Sequence, residues 1–227
     1  MKTKVFLVAL VLGFGSTFVN AQYHDRRVNF AISLGPQVNW IHADEPHLST
    51  GPIRMGIGAG LRLDYKLQRF YALSFGVNLI QTGGNVIYNE PLYLDLTSGM
   101  DTLLQGTKVT YRLQYVEIPF ALKILLPEIG YSTWYFEAGL DPMFNTQAFI
   151  NTTDNNIEKE PFRQGVSPFN LAWHTGLGLN YSLGGSVCLQ FTLFYMNSFL
   201  DVTRENDIRK PDNSRINQVG LNFGILF

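Results

Sequence analysis

Residues 28–40 read VNFAISLGPQVNW, and their alternation decides the fold. Val28, Phe30, Ile32, Leu34, Pro36, Val38 and Trp40 take the even positions; Asn29, Ser33, Gly35, Gln37 and Asn39 lie between them. Successive side chains on a strand point to opposite faces, so this stretch predicts a strand with one greasy and one polar face. Seven further stretches alternate in the same way: Met55 to Lys66, Phe70 to Thr82, Lys108 to Ile124, Trp134 to Phe144, Phe169 to Tyr181, Val187 to Tyr195, and Gln218 to the final residue, Phe227. In the fourth, the apolar residues are odd from Val109 to Tyr115 and even from Val116 to Leu122. A slip of one residue is what a β-bulge produces, which predicts a bulge near Tyr115 and Val116.

The connections alternate in length. Those from Lys66 to Arg69, Leu125 to Thr133 and Ser182 to Ser186 are short. Those from His42 to Arg54, Gly83 to Thr107, Asn145 to Pro168 and Leu200 to Ser214 are long. Long loops at one end and short turns at the other are the pattern of outer-membrane barrels. A soluble barrel would turn its apolar face inward and carry Lys and Glu outside. Here the less greasy face is instead crowded with glycines such as Gly56, Gly58, Gly60, Gly176 and Gly178, which suit a cramped interior. Aromatic side chains also cluster at strand ends on the apolar face. Tyr65, Tyr71, Trp134, Tyr181 and Phe227 form one belt, and Trp40, Tyr111, Phe144, Phe169 and Tyr195 the other. The expected fold is therefore all-β: an eight-stranded antiparallel up-and-down transmembrane β-barrel with its apolar face toward lipid.

The amino terminus reads as a secretory signal. Lys2 and Lys4 precede a mostly apolar run from Val5 to Val19, and Val19-Asn20-Ala21 is a small-residue cleavage site. This divides the chain into a signal peptide, 1–21, and a barrel domain, 22–227. Without the signal, 15 basic residues face 18 acidic ones, which argues against nucleic acid as a partner. Cys188 is the only cysteine, so neither an internal disulfide nor a cysteine-based metal site is available.

Two segments carry a family resemblance. Gln114-Tyr115-Val116-Glu117-Ile118-Pro119-Phe120-Ala121-Leu122-Lys123 resembles the "YLEIPLLLK" strand of the PorT-like outer-membrane barrels of the Bacteroidetes lineage. Tyr135-Phe136-Glu137-Ala138-Gly139-Leu140 is similar to that family's following "YxEAGP" strand, with Leu140 where Pro is common. The resemblance implies an outer-membrane protein of a Gram-negative bacterium, and with eight strands both mature termini are expected on the short-turn side, the periplasm. It also implies insertion by the barrel-assembly machinery, with Phe227 as the assembly signal. A founding member is linked to type IX secretion and gliding.

By phase, the inward charges are Arg62, Asp64, Lys66, Lys108, Arg112, Glu117, Lys123, Glu137 and Asp141. Charges in a narrow lumen are tolerable when paired and hydrogen-bonded, so these predict a charge network, with Arg62, Asp64, Arg112, Glu117, Lys123, Glu137 and Asp141 as its members. His174 also points inward, yet no hydroxyl is placed beside it by sequence, so a nucleophile, base and orienting group cannot be assembled. His42, Asp44, Glu45 and His47 share a loop at irregular spacing, a weak metal signal. No catalytic, cofactor or metal residue is assigned. The expected role is a non-catalytic structural or interaction module, of which a secretion or gliding accessory is one form. The apolar-rich stretch from Val86 to Leu104 is the expected partner surface, and outer-membrane lipid the expected surroundings. A narrow channel through the charged lumen is the first alternative and a lipid-modifying enzyme the second.

Overall fold

The computed structural model describes residues 27–43, 48–89, 92–96, 99–103, 105–152, 159–203 and 214–227. The signal-peptide segment, 1–21, and Asp44, Glu45 and His47 lie outside the described residues. The described strands are, in chain order, β1 (Val28–Ala43), β2 (Leu48–Thr50), β3 (Arg54–Gln68), β4 (Tyr71–Tyr88), β5 (Leu92–Leu96), β6 (Gly99–Leu103), β7 (Lys108–Glu117), β8 (Phe120–Leu125), β9 (Ser132–Thr152), β10 (Glu160–Pro161), β11 (Phe169–Gly184), β12 (Val187–Ser198) and β13 (Ser214–Leu226).

Eight staves close into a ring. Each of β1, β3, β4, β9, β11, β12 and β13 is one stave, and β7 with β8 makes the eighth. All neighbours are antiparallel, and β13 pairs with β1 to close the circle. The interruption between β7 and β8 falls at Ile118-Pro119. Proline has no N–H to give a ladder, but the register against β4 is the same on both sides of it. The local backbone groups find partners: Ile118 N–H donates to Pro142 O at 2.9 Å and Gly76 N–H to Pro119 O at 3.1 Å.

The registers also fix the shape. Following paired residues around the ring runs Val28, Tyr65, Leu73, Leu122, Ala138, Thr175, Tyr195, Val219 and back to Val38 on β1. One circuit therefore climbs ten residues along β1. With strands about 4.8 Å apart and a rise of about 3.3 Å per residue, that stagger tilts the staves by roughly 40° and sets a backbone radius of about 8 Å. Such a barrel is just wide enough to be filled by its own side chains.

The outer surface carries the greasy face. Phe30, Leu34, Leu61, Val77, Leu140 and Leu177 are each about half exposed there, and so are their neighbours around the ring. Inward positions are filled by interlocking. Tyr135 lies flat against Gly178, where a Cβ would overlap its ring, and a Cβ on Gly139 would come within 2.7 Å of His174 Cε1. The glycines on the inner face are the space into which larger neighbours on adjacent staves fold.

Candidate functional site: a charged lumen beneath an apolar cap

The lower half of the lumen, toward the termini, holds the ionic network. Lys123 Nζ donates to Asp64 at 2.7 Å and lies 3.7 Å from Glu137, while Arg62 donates to Glu137 at 3.0 Å. Ser74 Oγ donates to the other oxygen of Asp64 at 2.7 Å. The Lys123 ammonium also sits 4.7 Å from the centroid of the Tyr135 ring, whose hydroxyl shares a hydrogen bond with Thr192. Burying these charges in a low dielectric is costly unless each is paired, and this arrangement pairs them across four staves. Slightly higher, Asn78 Nδ2 donates to Glu117 at 2.7 Å, and His174 Nδ1 meets both oxygens of Asp141 at 2.7–2.8 Å. His174 Nε2 is buried without a hydrogen-bond partner among the described residues and borders a central cavity of about 30 Å³, room for one or two waters. A second cavity, of about 100 Å³, lies below the network and is lined by Asn29, Lys66, Glu128 and Asn180 among others.

Of the seven residues expected in the network, Arg62, Asp64, Lys123 and Glu137 form one ion-paired cluster, while Asp141 pairs with His174 and Glu117 with Asn78 in the layer above. Arg112 is not among them, and the reason is visible on three adjacent staves. Reading up β4, β7 and β9, the outward rows are Leu79–Val116–Phe144, then Gln81–Gln114–Gln147, then Gly83–Arg112–Phe149, then Asn85–Thr110–Asn151. The inward rows are Asn78–Glu117–Met143, then Ile80–Tyr115–Asn145, Thr82–Leu113–Ala148 and Gly84–Tyr111–Ile150. Below the three glutamines the barrel is greasy outside and polar inside; above them it is largely polar outside and greasy inside.

The polarity of the two faces inverts, and the strand β7 does not turn over. Odd residues of this stave point inward from Val109 through Glu117 to Lys123. The expected face switch at Tyr115 and Val116 is thus corrected. A bulge does occur at this height, but its extra residue is Thr146 on β9, since Gln114 pairs with Gln147 and Tyr115 with Asn145. Two inward charges are corrected with it: Lys108 and Arg112 belong to the outer face. Tyr111, expected in an aromatic belt, is 1% exposed inside, its hydroxyl 2.7 Å from that of Tyr88.

The greasy interior above the glutamines is a continuous core. Ile41, Leu48, Val86, Tyr88, Tyr111, Leu113, Ile150, Phe162, Val202 and Ile216 all belong to it. β2 adds to the edge of β4 and β10 to the edge of β9, so this lobe is a small extension of the barrel wall with its own packing. The partner surface expected from Val86 to Leu104 is corrected in part, since Val86 and Tyr88 are each 2% exposed within the core. The sequence reading missed this core. Its signal was the run of apolar residues at odd positions from Val109 to Tyr115.

A closed antiparallel ring of eight staves, apolar toward its surroundings and polar within, defines a small transmembrane β-barrel. The chain belongs to the outer membrane protein beta-barrel domain family, whose model matches residues 20–204. No curated protein matches the sequence. Among solved structures it is similar to the attachment invasion locus protein of Yersinia pestis, at 11% identity, with 89% of this chain and 100% of that chain covered and a TM-score of 0.45. It is similar also to OprG of Pseudomonas aeruginosa, at 15% identity, covering 91% and 99%, with a TM-score of 0.44. Neisserial surface protein A is a third, at 11% identity, covering 86% and 96%, with a TM-score of 0.45.

Proposed function

We propose that this chain is a non-conducting, non-catalytic outer-membrane barrel that carries its packed outer lobe past the lipid as an interaction platform. The observation that carries this reading is the double filling of the lumen. A conducting barrel needs a continuous aqueous path, whereas here a paired ionic layer is stacked beneath an apolar core. The His174–Asp141 pair has the geometry of a base with its orienting acid, but the cavity it faces has room only for water. A lobe with its own core beyond the lipid belt supports presentation of a rigid surface.

In this reading the long-loop end is extracellular and both mature termini are periplasmic, after removal of residues 1–21 as a signal peptide. The segments Gln114 to Lys123 and Tyr135 to Leu140 support a PorT-type barrel, and a secretion or gliding accessory is the specific form of partner-binding role that resemblance favours. Single-channel recording on the purified barrel in planar bilayers tests it. The expected result is no conductance above that of empty lipid; steady unitary currents, abolished by a bulky label at Leu92 or Asp95, would establish the channel instead. Crosslinking from those two positions in intact cells should capture a defined protein partner.

A further inference from the structure

Arg112 stands on the outer wall with the Arg54 guanidinium reaching the peptide beside it, and neither pairs with a carboxylate among the described residues. β3 separates from β4 above the Ile57–Gln81 pair while Arg54 stays paired with Asn39 on β1, and Arg54 Nη1 donates across the gap to Tyr111 O at 3.4 Å. Arg112 lies in the same row as Gly83, which has no side chain to cover it. Its Nε is buried with no hydrogen-bond partner among the described residues. The carbonyl that Arg54 reaches belongs to the residue before Arg112, which brings the two cations to the same peptide link. The described ion pairs of the barrel, Arg62–Glu137, Lys123–Asp64, Lys123–Glu137 and His174–Asp141, leave both guanidiniums out. Two neighbouring, partly buried cations repel each other, and one of them holds a buried N–H with no partner among the described residues; an anion between them relieves both costs.

Their height says which anion. The Gln81–Gln114–Gln147 row separates the apolar outer wall from the polar one, and Arg112 lies two residues above it. On a stave tilted by about 40°, two residues rise about 5 Å. The polar headgroup zone is roughly 5–7 Å deep on each side of the hydrocarbon, so the pair sits at headgroup level. A guanidinium offers planar, paired N–H donors that match two phosphate oxygens, and two of them side by side fit a doubly charged phosphomonoester.

We infer that Arg54 and Arg112 form a binding site for the phosphate group of a membrane lipid on the outer wall of the barrel. The inference rests on the membrane placement in the proposed function but not on which way the barrel points, since phosphate headgroups bound both leaflets. It is also independent of whether the lumen conducts. Arg215 is exposed on β13 at the same end of the barrel and serves as a control cation.

The test is lipid retention. The full chain, the R54Q/R112Q double variant, R112K and R215Q are reconstituted in nanodiscs of phosphatidylcholine with a minor fraction of phosphatidate. Each is then released into the gas phase and its bound lipids counted by native mass spectrometry. Heat-modifiable gel mobility confirms that each variant is folded. The parent should retain phosphatidate in preference to phosphatidylcholine, and the double variant should lose at least about tenfold of that preference. R112K should fall between them, and R215Q should match the parent. Equal retention by parent and double variant would overturn the site. Phosphorus-31 titration with inorganic phosphate separates the sources: binding of free phosphate with no selective lipid retention would overturn the lipid assignment. A channel seen in the conductance experiment would leave these counts unchanged, so the two proposals fail separately.

Discussion

Glu137 and Glu117 face the same lumen, are both inward carboxylates at the centre of the barrel, and should respond oppositely to loss of charge. Glu137 is 1% exposed and holds both Arg62, at 3.0 Å, and Lys123, at 3.7 Å. When Glu137 is replaced by Gln, Lys123 keeps Asp64 at 2.7 Å, but Arg62 has no other carboxylate at ion-pair distance among the described residues. Removing one partner of a buried pair costs about 3–5 kcal/mol, because the other charge stays behind unpaired. The central cavity borders both Arg62 and Glu137 and admits one or two waters, which places the expected cost of Glu137→Gln toward the lower end, about 3 kcal/mol.

Glu117 meets no cation at ion-pair distance among the described residues; its partner is the amide of Asn78, at 2.7 Å. Glutamine preserves that acceptor and removes an uncompensated buried charge, so Glu117→Gln should cost less than about 1 kcal/mol or stabilise the barrel. Urea unfolding in lipid vesicles, followed through Trp134 and the other two tryptophans, measures both. Arg62→Met should rescue Glu137→Leu in a double-mutant cycle, because an apolar pair replaces a buried ion pair at little net cost. Equal destabilisation by Glu137→Gln and Glu117→Gln, or parental stability for Glu137→Gln, would refute the pairing scheme and point to a hydrated lumen.

The inversion of faces makes a positional prediction: Gln114→Lys should fold with near-parental stability, while Leu122→Lys, on the same stave but within the apolar belt, should cost about 2–4 kcal/mol in the same unfolding assay. For orientation, cysteines at Leu92 or Asp95 in a Cys188→Ser background should react with an impermeant maleimide on intact cells, and one at Gln68 only after the outer membrane is opened; equal labelling would overturn the proposed topology. Phe227→Asp should reduce membrane insertion, seen as loss of the heat-modifiable band from membrane fractions, and normal yield would count against a terminal aromatic signal.

The ring itself was legible because lipid outside and a narrow lumen inside impose a strict period of two, and alternation survives in every stave. The long strands and the connections were less so. β4 runs six residues past Thr82 to Tyr88, and β9 reaches Thr152, because the apolar residues that extend them face inward rather than toward lipid. The sequence pattern reports where greasy side chains lie, not which side of the wall they face. From Val109 to Tyr115 those side chains pack against Leu48, Phe162 and Val202, contacts supplied by distant loops and invisible to local periodicity. Hence Arg112 was assigned by pattern to the lumen and stands outside. The pairing within the network was likewise beyond sequence: Asp64 and Lys123 are separated by 59 residues and meet only because a stagger of ten residues sets their staves at the same height.

The segment from Tyr115 to Lys123 shows what a family motif in such a wall encodes. Its inward residues are Tyr115, Glu117, Pro119, Ala121 and Lys123. Tyr115 floors the apolar cap, Glu117 takes the Asn78 amide, Pro119 interrupts the stave, and Lys123 anchors Asp64 and Glu137. The second segment supplies Tyr135 beneath the Lys123 ammonium, Glu137 opposite Arg62, and Gly139 against the His174 ring. Every inward residue of the two segments thus builds or borders the filled interior, and none reaches a surface that a partner could touch. Resemblance through such segments transmits the closed barrel from one protein to another while leaving the exposed loops free to differ. On the proposed reading, a role specific to this chain lies on the outer lobe and the wall beside it, where Arg112 and the glutamine row stand.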